Sequence, residues 1–228
     1  MMEVISKWDD EKTLVVCDFD GTLSPRDMGY SILERFSMRN EWERIDNDYK
    51  KGFIGSREAY QKVAPTLRAT RREIIEYVLC YGGIDPHFES FYRRSFNSGH
   101  DLIILSDGLD VYIEAMLSRC DLVGIRYYAN KVVFGDDGSL SIEFPYSSKN
   151  CGKCGNCKLS TLKKHRRSYA RIVYVGDGHS DFCPAGEADV IFGKGLLYER
   201  FSGTEKECYY YDDFSDVENI LYNGDHQD

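Results

Sequence analysis

The stretch Val15-Val16-Cys17-Asp18-Phe19-Asp20-Gly21-Thr22-Leu23 constrains this chain more than any other, because an apolar run ends in two carboxylates one residue apart, followed by glycine and threonine. A short continuous apolar run bounded by a turn signal reads as a strand buried on both faces. Successive strand residues point to opposite faces, so Asp18 and Asp20 share one side only if the strand has ended and the chain is turning. Gly21 permits that turn, since it tolerates positive φ and close approach by other groups. Two carboxylates at the end of a buried strand repel one another and lose their hydration unless a cation lies between them, and a magnesium ion suits an all-oxygen site of this kind.

The pattern recurs. Apolar runs at 14–18, 101–106, 172–177 and 189–192 alternate with helical stretches, which predicts an α/β fold with a Rossmann-like parallel sheet. The first three runs end in a polar residue followed closely by glycine. Ligands of open parallel sheets bind beyond the carboxyl ends of the strands, so these endings are expected to converge. About eighty residues separate the first two runs, far more than one crossover helix needs. Helical periodicity at 31–36, 41–50, 57–64 and 72–79 fills the interval and predicts an inserted α-helical cap over the strand ends. The expected division is a core of 1–23 and 97–228 with a cap of 24–96. Segments 122–129, 131–134 and 139–144 read as a strand followed by a hairpin that turns at Asp136-Asp137-Gly138-Ser139.

With 228 residues there is room for both parts. A net charge of −9 argues against nucleic acid and against an anionic membrane surface as partners, and no apolar run is long enough to span a bilayer. Residues 1–10 have neither a basic n-region nor an apolar h-region, so a cytoplasmic protein is expected. The basic stretch 163–167 reads as one solvated helix face. Without a secretion signal, the eight cysteines read as thiols or metal ligands rather than a disulfide framework. Cys17, Cys80, Cys120 and Cys208 are expected to be small buried apolar residues.

An acidic protein acting on an anion needs a local positive site. Ser106-Asp107-Gly108 offers a hydroxyl and backbone N–H groups at the second strand end, suited to phosphate oxygens or simply to starting the next helix. Lys158, just before a charged helical stretch, could neutralise both a carboxylate and a phosphate oxygen, or be a surface lysine. Gly176-Asp177-Gly178-His179-Ser180-Asp181 repeats the opening signature at the third strand end, with two carboxylates four residues apart. Asp181 could equally start a helix and complement its dipole.

These four elements, in this order, resemble the haloacid-dehalogenase superfamily, specifically its phosphatase branch with a C1-type helical cap. Gly176–Pro184, preceded by a cysteine-rich loop ending in Cys157-Lys158, is similar to the phosphoethanolamine and phosphocholine phosphatases. The segments 188–197 and 213–217 are similar to methionine-salvage ketose-phosphate phosphatases and phosphoserine phosphatases. The resemblance implies that Asp18 attacks phosphorus to form an aspartyl-phosphate, and that Asp20 protonates the leaving alkoxide and then activates water. It implies Mg²⁺ held by Asp18, the Asp20 carbonyl and Asp177, with Asp181 orienting the surrounding waters. It implies phosphate binding by Ser106, Gly108 and Lys158. The substrate is then a small phosphomonoester: a methylthio-ketose phosphate, phosphoserine, phosphocholine or phosphoethanolamine, or pyridoxal phosphate.

Two further features stay open at this level. Cys151, Cys154 and Cys157, spaced by glycines, could bind zinc, form a redox pair, or be free thiols; only three are present, and His165 is eight residues further on. Asp27, Arg26 and Arg57 in the cap are candidates for contacting the substrate. A phosphotransferase or mutase, and a zinc-containing binding module on the same scaffold, are the alternatives to a hydrolase. Oligomeric state is not legible.

Overall fold

The structure, a computed structural model, describes residues 11–224. The expectation made for 1–10 therefore lies outside the described residues. Seven strands form one sheet: β1 (Thr13–Cys17), β2 (Asp101–Leu109), β3 (Arg126–Phe134), β4 (Leu140–Glu143), β5 (Arg171–Gly176), β6 (Val190–Gly193) and β7 (Glu207–Tyr210). Their order is β4-β3-β2-β1-β5-β6-β7, and every pairing is parallel except β3 with β4. The expected α/β sheet is thus present, with β1 at its centre.

The central position follows from composition. All five residues of β1 are buried, with Val15 and Cys17 in the core on one face and Leu14 and Val16 in the core on the other. Burying a Val or Leu side chain contributes about 1.5–3 kcal/mol, so a strand that is apolar on both faces is stable only between two layers of helix. One layer contains α4 (Arg71–Tyr81), α5 (Phe88–Asn97), α6 (Asp110–Arg119) and α10 (Phe214–Glu218). The other contains α7 (Lys158–Arg166), α8 (Phe182–Ala185) and α9 (Gly195–Phe201).

Between β1 and the first of these layers come α1 (Met28–Phe36), α2 (Glu41–Lys50) and α3 (Ser56–Val63). Trp42, Ile45 and Val63 make a small core of their own between α2 and α3. Helices α4 and α5 also fall inside 24–96, yet they pack on the sheet layer: α4 lies along α6, and Phe88 and Phe91 of α5 pack against Phe214, edge-on and tilted respectively. Phe88, Phe91 and Ser95 form one buried stripe at helical spacing, which sequence reading left unassigned.

Two elements run longer than expected. Strand β2 continues to Leu109 rather than stopping at Ser106, and its pairing with β3 shifts register between Leu105 and Leu109. Strand β3 is continuous, pairing in parallel with β2 over its first half and antiparallel with β4 over its second. Cys17 is buried as expected, but Cys80 is exposed because it lies on the outer side of α4. In the basic stretch 163–167, Lys163, Lys164 and Arg167 are exposed, and Lys163 pairs with Glu187 and Arg166 with Asp189. Among the described residues, no helix is long and apolar enough to cross a membrane.

Candidate active site

Register brings the strand ends together. Cys17 is opposite Ile104 of β2 and Val175 of β5, so Asp18, Ser106 and Asp177 come to the same end of the sheet, and the Asp18 N–H still donates to the Val175 carbonyl at 2.9 Å. This is the crevice where the chain, after running outward through β2 and β3, returns to the opposite side of β1.

Lys158, at the first position of α7 and almost fully buried, supplies the charge this edge requires. Its Nζ lies 2.7 Å from Asp18 Oδ1 and 2.8 Å from Asp181 Oδ1, and it donates to Ser180 Oγ at 2.9 Å. Burial would lower the ammonium pKa, but Asp18 and Asp181 raise it well past its ordinary value. Burial likewise pushes Asp181 up, and there Lys158, the Tyr174 hydroxyl and the backbone of Gly178 outweigh it and leave the carboxyl lowered. Asp18 ends well above the ordinary carboxylate range, since burial and the neighbouring Asp181 outweigh Lys158. One ammonium is shared between two carboxylates, with a third close by.

That third is Asp177. Carboxylate oxygens of Asp18, Asp177 and Asp181 all lie within 4.8 Å of one another, and among the described residues this is the one such cluster of acidic, histidine or cysteine side chains. Burial and Asp181 raise Asp177 to about 6, against the Thr22 hydroxyl, which donates to Asp177 Oδ1 at 3.0 Å. Gly21 has φ +77°, and a Cβ there would collide with the Asp177 carboxylate. Three hard oxygen donors gathered without enough positive charge fit a small divalent cation such as Mg²⁺.

Asp20 sits apart from this cluster. Its Oδ2 accepts from the Tyr112 hydroxyl, and its Oδ1 accepts from the Met28 N–H at 2.8 Å, so α6 and the start of α1 fix it from two sides. Burial and the charge of Asp27 raise it to about 7, with the Tyr112 and Met28 hydrogen bonds pulling down. Gly108 makes room for this arrangement: a Cβ there would collide with the Tyr112 hydroxyl and lie 2.7 Å from Asp20 Oδ2. The Gly108 N–H donates to Ser106 Oγ at 2.9 Å. It is thus engaged within the turn rather than free, as the sequence had suggested.

The cap candidates separate. Asp27 caps α1 by accepting from the Tyr30 N–H at 2.7 Å, and its charge bears on Asp20. Arg26 is exposed and acts on Tyr77, while the Arg57 guanidinium lies over the Phe144 ring at 5.6 Å. In their place the structure brings in tyrosines. Tyr60 of α3 feels Asp107, Asp20 and Asp27, and Tyr49 of α2 feels Asp107, Lys158 and Asp18; burial raises both phenols. Sequence reading missed Tyr49 and Tyr60, which carry no local signal in a chain with 17 tyrosines. Tyr112 had one, at the start of the helix after the second strand end.

The loop before Lys158 is tied to the same edge. The Asn156 side chain donates to the carbonyls of Ser106 and Tyr128 at 2.8 Å each, and its N–H donates to Asp107 Oδ1 at 2.8 Å. Asn130 donates to the Asp107 carbonyl at 2.6 Å. Cys151 Sγ is 3.5 Å from Cys154 Sγ, and Cys151 also contacts Cys157. His165 is taken up by the Tyr128 hydroxyl, 2.8 Å from its Nε2.

Known proteins share both the fold and the sequence pattern. A solved phosphoserine phosphatase, described as a phospho-aspartyl intermediate analogue, superposes with a TM-score of 0.71 at 18% identity, covering 93% of this chain and all of that one. Proteins from Brevibacillus brevis and Lysinibacillus sphaericus, both named 2-hydroxy-3-keto-5-methylthiopentenyl-1-phosphate phosphatase, are 26% and 28% identical over 92% and 83% of this chain, and over 96% and 85% of their own. The fold and these relatives define a phosphatase of the haloacid-dehalogenase superfamily. Within it, a model of the family described as Putative Phosphatase matches residues 13–194, and the chain belongs to that family.

Proposed function

We propose that this chain hydrolyses a small phosphomonoester with an uncharged or cationic alcohol, using Asp18 as nucleophile and Asp20 as acid and base. The single observation that supports the reading best is the contrast between the two aspartates. Asp18 is paired with Lys158 at 2.7 Å and lies in the cluster with Asp177, where a bound divalent cation would favour its ionised form for attack, whereas Asp20 is held apart by Tyr112 and the Met28 N–H and lifted to about 7, where it can hold a proton. Attack by Asp18 on phosphorus gives an acyl phosphate as the alcohol departs with the proton from Asp20; Asp20, now ionised, takes a proton from the water that cleaves the acyl phosphate. Mg²⁺ held by Asp18, the Asp20 carbonyl and Asp177 would neutralise phosphoryl oxygens during both displacements. Lys158 and Ser106 would share that work, and Asp181 would hold Lys158 and the metal's surroundings in place.

Helices α1 to α3 are read as the cap that must open for exchange. The wall facing the leaving group would combine Tyr49 and Tyr60 of these helices with Tyr112 of α6, with Asp27 and Asp107 nearby. Such a wall favours hydroxyl-rich or cationic alcohols and repels a carboxylate. It therefore supports a ketose phosphate of the kind in the Brevibacillus relative's name, or phosphocholine and phosphoethanolamine, over phosphoserine. A panel of these esters assayed with added Mg²⁺ tests the reading. Turnover of a ketose or aminoalcohol phosphate at least tenfold faster than phosphoserine is expected; no Mg²⁺-dependent phosphate release from any of them would end it.

A further inference from the structure

The cysteine loop joins the site to the cap. The Lys153 carbonyl accepts from the Arg57 N–H at 3.1 Å, in the first turn of α3, and a Cβ on Gly55 would collide with that carbonyl. The Gly155 N–H donates to Ser56 Oγ at 2.9 Å, while Ser56 also bonds Asp107. Asn156 then ties the loop to Ser106 and Asp107, two residues before Lys158. Loop 151–157 is therefore the place where cap, phosphate-binding turn and buried lysine meet, and Cys151-Gly152-Lys153-Cys154 forms its tip.

We propose that Cys151 and Cys154 are a redox-active dithiol that closes to a disulfide by exchange with an oxidised low-molecular-weight thiol, and that closure undocks the cap from this loop. The effect on turnover rests on the phosphatase reading; the disulfide itself does not. Three observations carry the pairing. The sulfurs are already 3.5 Å apart across a turn that Gly152 makes at φ +69°. Cys151 is exposed, Cys154 is half-buried behind it, and Cys157 is buried, so an external disulfide meets Cys151 first. Cys151 contacts both Cys154 and Cys157, but three thiols fall one ligand short of a tetrahedral zinc site, and the nearby His165 is taken up by Tyr128. The exposed thiol is also the acidic one. Burial raises Cys151, but the N–H groups of Lys153 and Cys154 and the neighbouring thiols outweigh it, whereas burial drives Cys154 upward.

The chemistry closes without further reactants. The Cys151 thiolate attacks one sulfur of RSSR, forming a mixed disulfide and releasing RS⁻; Cys154 then attacks the Cys151 sulfur and expels the second RS⁻. The two protons leaving Cys151 and Cys154 convert both RS⁻ to RSH, so the protein is oxidised by two electrons and RSSR is reduced by two. Closure shortens the sulfur separation from 3.5 Å to about 2.0 Å. Lys153 lies between the two cysteines, so closure repositions the carbonyl that Arg57 and Gly55 now pack against. A displacement on the order of 1 Å beside a phosphoryl-transfer site can cost up to about a hundredfold in rate.

The test uses the full chain equilibrated over a range of reduced to oxidised glutathione ratios, with alkylation and peptide mapping, and with Mg²⁺-dependent p-nitrophenyl phosphate hydrolysis measured alongside. A Cys151–Cys154 disulfide is expected, with activity falling about tenfold or more as it forms and returning with dithiothreitol. Cys151→Ser and Cys154→Ser should keep full activity under the oxidising conditions. Several results would overturn the proposal: no 151–154 bond at any ratio, a bond to Cys157 instead, one equivalent of zinc holding the thiols unreactive, or closure with activity unchanged. If the reduced protein hydrolyses no phosphomonoester, it is the phosphatase reading that fails, and the disulfide map still decides the dithiol.

Discussion

Replacing Lys158 by methionine tests whether one buried ammonium holds the site together. Lys158 is 3% exposed, and its removal strands Asp18 and Asp181 in the same low-dielectric space with Asp177 close by. Methionine fills most of the volume, so the effect isolates charge. Breaking a buried pair by deleting one partner costs about 3–5 kcal/mol. For a chain of this size each kcal/mol moves Tm by about 2–4 °C, so a fall of about 6–20 °C is expected in metal-free buffer at pH 8. The pH dependence has a definite sign. The folded pKa of Asp18 is raised, so the proton it binds favours the folded state at acid pH, and that contribution is lost as pH rises from the ordinary carboxylate range through the raised value. Without Lys158 the folded pKa rises further, and the deficit against wild type should be larger at pH 8 than at pH 5. Saturating Mg²⁺ should recover part of it by restoring positive charge. Thermal unfolding followed by circular dichroism at the two pH values, with and without Mg²⁺, measures all of this. A Tm within about 2 °C of wild type at pH 8, or a larger deficit at pH 5, would refute the electrostatic reasoning.

Asp18→Asn should reduce phosphate release to background while the circular dichroism spectrum is unchanged, since the nucleophile is lost and the Lys158–Asp181 pair remains. Because Asp20 is raised to about 7, turnover of alkyl phosphates should decline above about pH 7 as the acid form is lost, while p-nitrophenyl phosphate, whose leaving group needs no proton, should show a flatter alkaline limb. Asp20→Asn should cost roughly 10²–10⁴-fold on alkyl esters; an equal loss on both substrates would argue against the acid role. Gly21→Ala should raise the Mg²⁺ concentration for half-maximal activity, because it places a methyl group against Asp177, and should cost about 1–2 kcal/mol for the left-handed backbone. A metal titration and a denaturant titration check the two parts, and an unchanged metal requirement would contradict the cramped cluster described above.

Much of this molecule is written locally. Strand β1 declares itself because five consecutive buried residues leave it one stable environment, between two helical layers, and a carboxylate after such a run has to stand at the sheet edge. Asp18, Asp20, Asp177 and Lys158 were legible for the same reason, each being a polar residue beside a strand end, a turn glycine or a helix start. Tyr49, Tyr60 and Asn156 were not, because their positions depend on how α2 and α3 pack and how the cysteine loop folds back. Helix α5 was hidden by its charged outer face, and its place on the sheet layer depends on the fit of Phe88 and Phe91 against Phe214.

The sequence alone therefore determined the α/β class, a strand buried on both faces and the residue types available for phosphoryl transfer, since these follow from apolar periodicity and from what a turn permits. Only the tertiary structure decided how the charges divide. One lysine shared by Asp18 and Asp181, with Asp20 held separately by Tyr112 and the Met28 N–H, makes chemically different groups of identical side chains. That distinction arises from burial and neighbouring charge, which depend on distances between segments as far apart as residues 18 and 181, and no local pattern encodes such distances.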